Sequence, residues 1–190
     1  ALVEDPDCEN LMILPSVRGY RKNEVSGQML RAIINSFQGF DYTLIDCPAG
    51  IELGFHRAVS AASEALVVTT PHISAVKDAG KVIGILGTYK IDARLIVNRV
   101  RGDMVLDGEM ASPYDIRQAL GIPLCGIIPE NDEINGLSAN GEKPKSGGNG
   151  SKAFSLLCHN IVYGTSDMYD YTAGYKGIFG GIKRALKKHL

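Results

Sequence analysis

The apolar residues of this chain fall into short runs, which alternate with longer stretches where apolar positions recur at helical spacing. Nearly continuous apolar runs predict strands at Leu11–Pro15, Tyr42–Asp46, Ala65–Thr70, Arg94–Asn98 and Cys125–Pro129. Strands that lack polar alternation are typical of parallel sheets, because helices cover both faces of such sheets. We therefore expect these strands to lie in the interior of a parallel sheet.

Helical spacing fills the stretches between the predicted strands. It predicts helices near Ser26–Phe37, Ile51–Ala62, Ser74–Tyr89, Ser112–Leu120 and Lys152–Val162. The fourth helix has the clearest boundaries, because Ser112 is a favourable N-cap, Pro113 suits the first turn and Gly121 follows the last. This alternation of strands and helices predicts an α/β fold with a doubly wound, mostly parallel sheet.

The C-terminal stretch Gly174–Leu190 has a different pattern, with five Lys or Arg residues and no Asp or Glu. At about 100° per residue, a helix here places apolar side chains on one arc and cationic side chains on the opposite arc. A helix divided in this way favours the surface of an anionic membrane, and it is too short and too charged to span one. The residues expected at the membrane are Ile178, Phe179, Ile182, Lys183, Arg184, Leu186 and Lys187. The alternative is a helix whose apolar side packs on the domain while its lysines are solvated.

Charge is distributed unevenly along the 190 residues. The net charge is −1, but the last fifteen residues contribute +5 and the preceding 175 sum to −6. A surface that binds nucleic acid spreads Lys and Arg over a face of the domain, so the acidic body argues against a nucleic-acid partner. The four cysteines have no C-x-x-C spacing, which indicates reduced thiols in a cytosolic protein.

Candidate chemistry is expected at the carboxyl ends of the strands, where open α/β sheets bind their ligands. Asp46 ends an apolar run, as the carboxylate of a Walker B strand does when it holds Mg²⁺ in phosphate chemistry. Gly50 lies in the loop that follows this carboxylate. The alternative is ordinary turn chemistry, because Asp before a Pro-x-Gly sequence is common at a strand end.

Two further strand ends carry polar pairs. Asn98-Arg99 combines an amide that can pair with a purine edge and a guanidinium that can stack or bind phosphate. Pro129-Glu130 places a flat proline ring beside a carboxylate, an arrangement that suits the border of a base. A solvated loop start and a plain strand exit are the respective alternatives.

The order of these motifs carries a resemblance that covers nearly the whole chain. The segments concerned are Asp46–Glu52, Ala65–Pro71, Ser74–Asp78, Leu95–Arg99, Gly102–Met104 and Leu120–Glu130. Their succession closely resembles the MinD family of septum site-determining ATPases, within the MinD/ParA group of deviant Walker A ATPases. The basic tail stands where that family carries its membrane-targeting sequence.

The resemblance implies roles for individual residues. Asp46 would be the Walker B carboxylate, serving catalysis and holding Mg²⁺ through a water, and the loop through Gly50 would be the second switch. The residues implied to frame the adenine are Asn98, Arg99, Pro129 and Glu130. Asp78, on the helix after Pro71, matches a position near the surface used by the activating partner.

The resemblance also implies cofactors, partners and a location. ATP and Mg²⁺ would be the cofactors, and the protein would form a homodimer on binding ATP. MinC-like and MinE-like proteins would be its partners, together with an anionic membrane. The implied location is cytoplasmic and peripheral, on the inner face of the cell membrane.

One departure from the family pattern concerns the phosphate loop of the form K-G-G-x-x-G-K-T, which these residues do not contain. The stretch Gly147–Lys152 lacks the Gly-Lys-Ser/Thr order, and we expect no suitable helix after it. Because the chain opens with Ala1 rather than Met, we expect a fragment whose sheet is incomplete at the N-terminus, leaving a gap beside Tyr42–Asp46. On this interpretation the chain alone does not hydrolyse ATP.

The expected organisation is a partial ATPase domain of the P-loop NTPase type over residues 1–164, a linker over 165–174 and the amphipathic membrane-targeting helix over 175–190. Two alternatives stay open. The chain is either another ATPase of the MinD/ParA group, such as a partition ATPase or a regulator of flagellar number, or a non-catalytic membrane adaptor. A partition ATPase is expected to carry basic residues across its body, and this body is acidic.

Overall fold

The fold is described by a computed structural model that covers residues 2–6, 8–15, 25–132, 134–136, 147–177 and 180–181. The chain divides into two compact units, Ala1–Ala61 and Ala62–Leu190. Each unit is described by itself.

The first unit contains a short hairpin and two helices. Strand β1 (Val3–Glu4) pairs antiparallel with β2 (Met12–Ile13), and the helices are α1 (Gly27–Asn35) and α2 (Leu53–Ala61). The predicted helix at Ser26–Phe37 is confirmed, and Ser26 caps it by accepting a hydrogen bond from the amide of Met29 at 3.1 Å. Arg31 joins the two helices by donating to the carbonyl oxygen of Ser60.

Of the two strand predictions in this unit, the first holds only in part and the second is wrong. The run Leu11–Pro15 contains only the two paired residues of β2, which lie in an antiparallel hairpin instead of a parallel sheet. The run Tyr42–Asp46 forms no strand, and the Leu44 residue is 82% exposed. The physical reason is shared, because a strand needs hydrogen-bonded neighbours and the described residues supply no parallel partner for either run.

The second unit is built on three parallel strands in the order β3-β4-β5. The strands are β3 (Glu64–Thr69), β4 (Asp92–Val100) and β5 (Leu124–Pro129). The helices are α3 (Ile73–Thr88), α4 (Gly102–Leu106), α5 (Pro113–Leu120) and α6 (Asn149–Tyr163), followed by a 3₁₀ turn at Ala173–Tyr175. The predicted strands and helices of this unit are confirmed. Helix α4 and the 3₁₀ turn were not predicted, because segments of five and three residues are too short to show a period.

The core lies on both faces of this sheet. Leu95 and Val97 of β4 are fully buried with Ile116 of α5 on one face. On the other face, Ile96 packs with Ala153 and Leu157 of α6. Alternate residues of one strand therefore enter two separate apolar clusters, which confirms the doubly wound arrangement. On its other side β3 has no partner strand among the described residues. The gap expected beside Tyr42–Asp46 stays a prediction, because that run forms no strand here.

Both ends of helix α5 are determined by residues that were recognised in the sequence. Ser112 and Asp115 form a reciprocal capping box, with Pro113 at the first position of the helix. Gly121 ends the helix in the left-handed conformation, at φ 68°. Each of these residues supplies a backbone partner or a backbone angle that a helix end requires, and the predicted boundaries are confirmed.

Candidate functional site

Strand β4 ends in an irregular step that presents two polar residues. Val97 pairs with Ile127 and Val100 pairs with Pro129, so β4 has one residue more than β5 over this interval. The extra residue makes a bulge at Asn98-Arg99, and Arg99 adopts φ 59°. Left-handed backbone is uncommon outside glycine and is frequent at binding sites. The Asn98 side-chain oxygen stabilises the step by accepting a hydrogen bond from the Arg99 amide at 2.9 Å.

The Arg99 guanidinium is fixed by a two-point contact with Glu130. The two hydrogen bonds measure 2.8 Å from Nε and 3.2 Å from Nη2. Asn135 donates a further bond to the same carboxylate at 3.0 Å. The hydrogen bonds from Arg99 and then from Asn135 hold the pKa of Glu130 below its ordinary value. Glu130 therefore stays ionised and keeps the planar guanidinium in one orientation.

Four predicted site residues thus lie together at the carboxyl ends of β4 and β5. We call Asn98, Arg99, Pro129 and Glu130 the β4–β5 corner. The Asn98 amide nitrogen has no hydrogen-bond partner among the described residues, so it is available to donate to a ligand. A flat guanidinium, a proline ring and a free amide donor are suited to the face and the edge of a planar heterocycle.

A second arginine–carboxylate pair adjoins the corner and was not predicted. Arg101 contacts Asp103 at 2.6 Å and 3.3 Å, and Asp103 is almost fully buried at the start of α4. The hydrogen bond with Asp103 raises the pKa of Arg101, and the charges of Asp103, Tyr175 and Glu130 raise it further. Arg101 also lowers the pKa of Glu130. In the sequence only the triplet Arg101-Gly102-Asp103 brings these two side chains close together. The pair was not recognised, because helix α4 is too short to show helical periodicity.

The other predicted site residues belong to other segments of the chain. Asp46 is exposed in the first unit, within an irregular segment, and Gly50 follows it at φ 86°. Burial and the charge of Asp46 raise the pKa of the neighbouring Cys47 thiol. Asp78 is exposed on α3 in the second unit, where it pairs with Lys81 at 2.9 Å.

A protein-only metal centre is not found in the part of the chain described, which contains no group of three or more His, Cys, Asp or Glu residues suited to a metal ion. Magnesium bound with a nucleotide needs fewer protein ligands, since one or two carboxylates suffice when phosphates and waters complete the shell. A single exposed Asp46 fits that kind of site.

The glycine-rich stretch before α6 needs a correction. We expected no suitable helix after it, but α6 begins at Asn149 with Gly148 as its N-cap. The early start has a packing reason, because Gly150 is buried against the side chain of Ile134. The Gly-Lys-Ser/Thr order of a phosphate loop is also missing from this stretch. The stretch therefore does not provide a phosphate cradle.

The predicted membrane residues lie outside the described residues. They are Ile178, Phe179, Ile182, Lys183, Arg184, Leu186 and Lys187. None of the helices within the described ranges combines the length and the apolar character that a membrane crossing requires.

Comparison with known proteins gives a consistent result. The septum site-determining protein MinD of Synechocystis is 44% identical over 136 residues, which are 70% of this chain and 51% of that protein. The MinC:MinD cell division protein complex of Aquifex aeolicus matches with a TM-score of 0.75 at 35% identity, over 88% of this chain and 68% of that chain. MinD from Pyrococcus horikoshii, solved with Mg-ADP, matches with a TM-score of 0.63 at 29% identity, over 72% of this chain and 57% of that chain.

Two further findings bear on these likenesses. The chain spans about half the length of the curated relatives it matches. No protein-family model matches it.

Proposed function

Because the chain belongs to the MinD family of septum site-determining proteins, we propose that it acts in cell-division site selection as part of a membrane-associated ATPase. The observation that carries the proposal is the joint match in sequence and fold to these proteins. A member of the family has been solved with Mg-ADP, so nucleotide and magnesium binding are properties found in the family.

The β4–β5 corner is the proposed adenine site. Asn98 would donate its free amide hydrogen to the base edge, and the Arg99 guanidinium would lie along the ring, held in place by Glu130. Pro129 would cover part of the ring with its apolar surface. Each role uses a group whose geometry is already fixed before the nucleotide arrives, which reduces the entropy lost on binding.

Asp46 is the proposed magnesium residue and catalytic carboxylate, and Gly50 belongs to the proposed second switch. Magnesium would neutralise phosphate charge during hydrolysis. The 190 residues contain no lysine-bearing phosphate loop, so we expect no ATP hydrolysis from this chain alone.

The basic tail is the proposed membrane contact. Each Lys or Arg near an anionic surface contributes about 1 kcal/mol. Ordering a short, glycine-interrupted helix opposes this gain, since such helices are marginal in water. One tail therefore binds weakly, whereas two tails on an ATP-bound homodimer act at high effective concentration. In the proposed cycle the dimer holds the protein on the inner face of the cell membrane, and hydrolysis releases it.

The proposed partners follow from the same family. The Aquifex aeolicus relative was solved in complex with MinC, so we propose a MinC-like partner for this protein. A MinE-like protein is the proposed activator, and exposed Asp78 on α3 is the residue we assign to its contact surface.

The membrane role is tested by deleting residues 175–190 from the full-length protein. We expect sedimentation with anionic liposomes in the presence of Mg-ATP to be lost, while dimerisation measured by light scattering stays unchanged. Undiminished liposome binding by the deletion variant would refute the role of the tail. Replacing Lys183, Arg184 and Lys187 with Ala should weaken binding in proportion to the anionic lipid content.

A non-catalytic membrane adaptor is the second candidate function, and it differs from the first in having no phosphate loop anywhere in the protein. The coding sequence upstream of Ala1 separates the two candidates. A K-G-G-x-x-G-K-T sequence there indicates an ATPase, whereas a start codon directly before Ala1 indicates the adaptor.

A further inference from the structure

Residues 164–177, which include the predicted linker 165–174, pack within the second unit. We call this segment the strap. Its first anchor is Asn160 of α6, a polar residue that is 0% exposed. The Asn160 amide nitrogen donates to the carbonyl oxygens of Cys125 and Asp167, both at 2.8 Å. Its amide oxygen accepts from the Thr165 hydroxyl at 2.7 Å and from the Asp167 amide at 3.0 Å.

This anchor is specific because every hydrogen-bonding position of the Asn160 side chain is filled. One bond goes to β5 and the other three go to the strap. A buried amide whose four positions are all used fixes one arrangement of its partners, since any other arrangement leaves polar groups unsatisfied.

The middle of the strap contacts both apolar clusters of the sheet and then the start of α4. Met168 and Tyr171 pack on the cluster around Leu95, and Tyr169 packs on the cluster around Ile96. A methyl group at Gly102 would overlap the carbonyl oxygen of Tyr171 and would lie 3.0 Å from the Tyr175 ring. The strap therefore lies directly on the backbone of Gly102, where only glycine leaves room.

The outer anchor is Asp170. Its carboxylate accepts from the Thr172 amide at 2.9 Å and the Thr172 hydroxyl at 2.5 Å, and it pairs with Lys176 at 3.1 Å. These bonds, those from Thr172 first, lower the pKa of Asp170 to about 2. The carboxylate thus fixes the turn that brings Tyr175 against Gly102.

The strap ends on the residues that lead from β4 into α4, directly after the β4–β5 corner. Gly102 lies between Arg101 and Asp103, whose side chains are hydrogen-bonded to each other. Two residues before Gly102, the carbonyl oxygen of Val100 accepts a hydrogen bond from the Glu130 amide at 3.0 Å. Residues 100–103 therefore contact the strap at Gly102 and the corner at Val100.

We propose that the docked strap fixes Arg101 and the β4–β5 corner, so that nucleotide binding at the corner and docking of the strap strengthen each other. The inference rests on the proposed adenine site and adds a means of regulating it. Since coupling between two sites is reciprocal, whatever the tail after residue 177 binds would also change nucleotide affinity. Gly102 is a positioning residue in this scheme, and Asp170 acts on the corner only through the strap.

The test uses the full-length protein with Mg-ADP as the ligand. Hydrogen–deuterium exchange of peptides from 164–177 is measured with and without Mg-ADP, and Mg-ADP affinity is measured by calorimetry. In the wild-type protein we expect Mg-ADP to slow exchange in the strap. Gly102→Ala should speed that exchange and weaken Mg-ADP binding about tenfold, within the usual range of coupling between sites. Gly84→Ala is the matched control, because a methyl group there meets open space.

Asp170→Ala separates an effect through the strap from an effect on the corner itself. We expect faster strap exchange and Mg-ADP binding about threefold weaker, since exposed polar contacts each contribute little. Asp167→Ala is the control within the same segment, because the Asp167 side chain makes no hydrogen bond or ion pair among the described residues.

The outcomes are distinguishable. A wild-type protein that binds Mg-ADP with no change in strap exchange overturns the coupling and leaves the proposed function standing. Asp170→Ala with a faster-exchanging strap and unchanged affinity also overturns it. A wild-type protein that does not bind Mg-ADP overturns the adenine site and the coupling together.

Discussion

The β4–β5 corner and the segment 42–50 both follow apolar runs, and both were assigned to the nucleotide site, yet only one of them is built into a sheet. At the corner, Arg99 and Glu130 are joined by two hydrogen bonds and the preceding Val97 is fully buried. In the segment 42–50, Leu44 is 82% exposed and the backbone is irregular. The difference teaches that an apolar run becomes a strand only when neighbouring strands accept its backbone hydrogen bonds.

The first and largest test of this comparison is a pair of leucine truncations in the 190-residue chain. Leu95→Ala removes a side chain in β4 that is 0% exposed, so unfolding free energy should fall by about 2–5 kcal/mol. Leu44→Ala removes an exposed side chain, and we expect a change within about 0.5 kcal/mol. Urea denaturation followed by circular dichroism measures both.

The same pair sharpens the comparison in the full-length protein. If additional residues pair with Tyr42–Asp46 there, Leu44 is buried and Leu44→Ala becomes destabilising as well. A large effect of Leu44→Ala already in the 190-residue chain would contradict the exposed, irregular conformation of residues 42–50.

The next effect concerns the order of the strap. Asn160→Leu keeps the side-chain volume but removes the hydrogen bonds to the carbonyls of Cys125 and Asp167, the amide of Asp167 and the hydroxyl of Thr165. Losing these hydrogen bonds at a fully buried position is costly, so we expect a loss of about 2–3 kcal/mol in unfolding free energy. Amide exchange should rise first in residues 164–170. Asn35→Ala, at the exposed end of α1, is the control, and an equal effect there would refute a special role for Asn160.

The smallest effect is a pH dependence of the strap. The pKa of Asp170 is depressed to about 2, below the ordinary 3.8, so its contribution is present above about pH 4 and is lost as the pH falls through 2. Because this carboxylate is exposed, the change in stability is small. Carbon-detected NMR of the Asp170 carboxyl gives the titration directly. An ordinary pKa would show that the contacts to Thr172 and Lys176 do not persist in solution.

The sequence predicted the second unit well, because its strands have their neighbours within the chain. The ends of α5 followed from Ser112, Pro113 and Gly121, whose local chemistry is independent of tertiary contacts. The gathering of Asn98, Arg99, Pro129 and Glu130 followed from the rule that parallel strands present their carboxyl ends at one edge.

The missed features depend on contacts between residues distant in sequence. The Arg99 bulge arises from the register between β4 and β5, and no local pattern specifies it. The strap is held by the four hydrogen bonds of the Asn160 side chain. In the sequence Asn160 is only a polar residue in a predicted helix, and nothing there indicates these partners. The Arg101–Asp103 pair was missed because α4 is only five residues long.

The central claim is that the β4–β5 corner binds the adenine of a nucleotide. The most direct measurement is the dissociation constant of Mg-ADP for the full-length protein and its Asn98→Ala variant, by calorimetry. The loss of one hydrogen bond of about 1–1.5 kcal/mol predicts binding weakened about tenfold, with no change in Asn35→Ala. Equal affinities of the wild-type protein and Asn98→Ala would contradict the assignment of the corner as the adenine site.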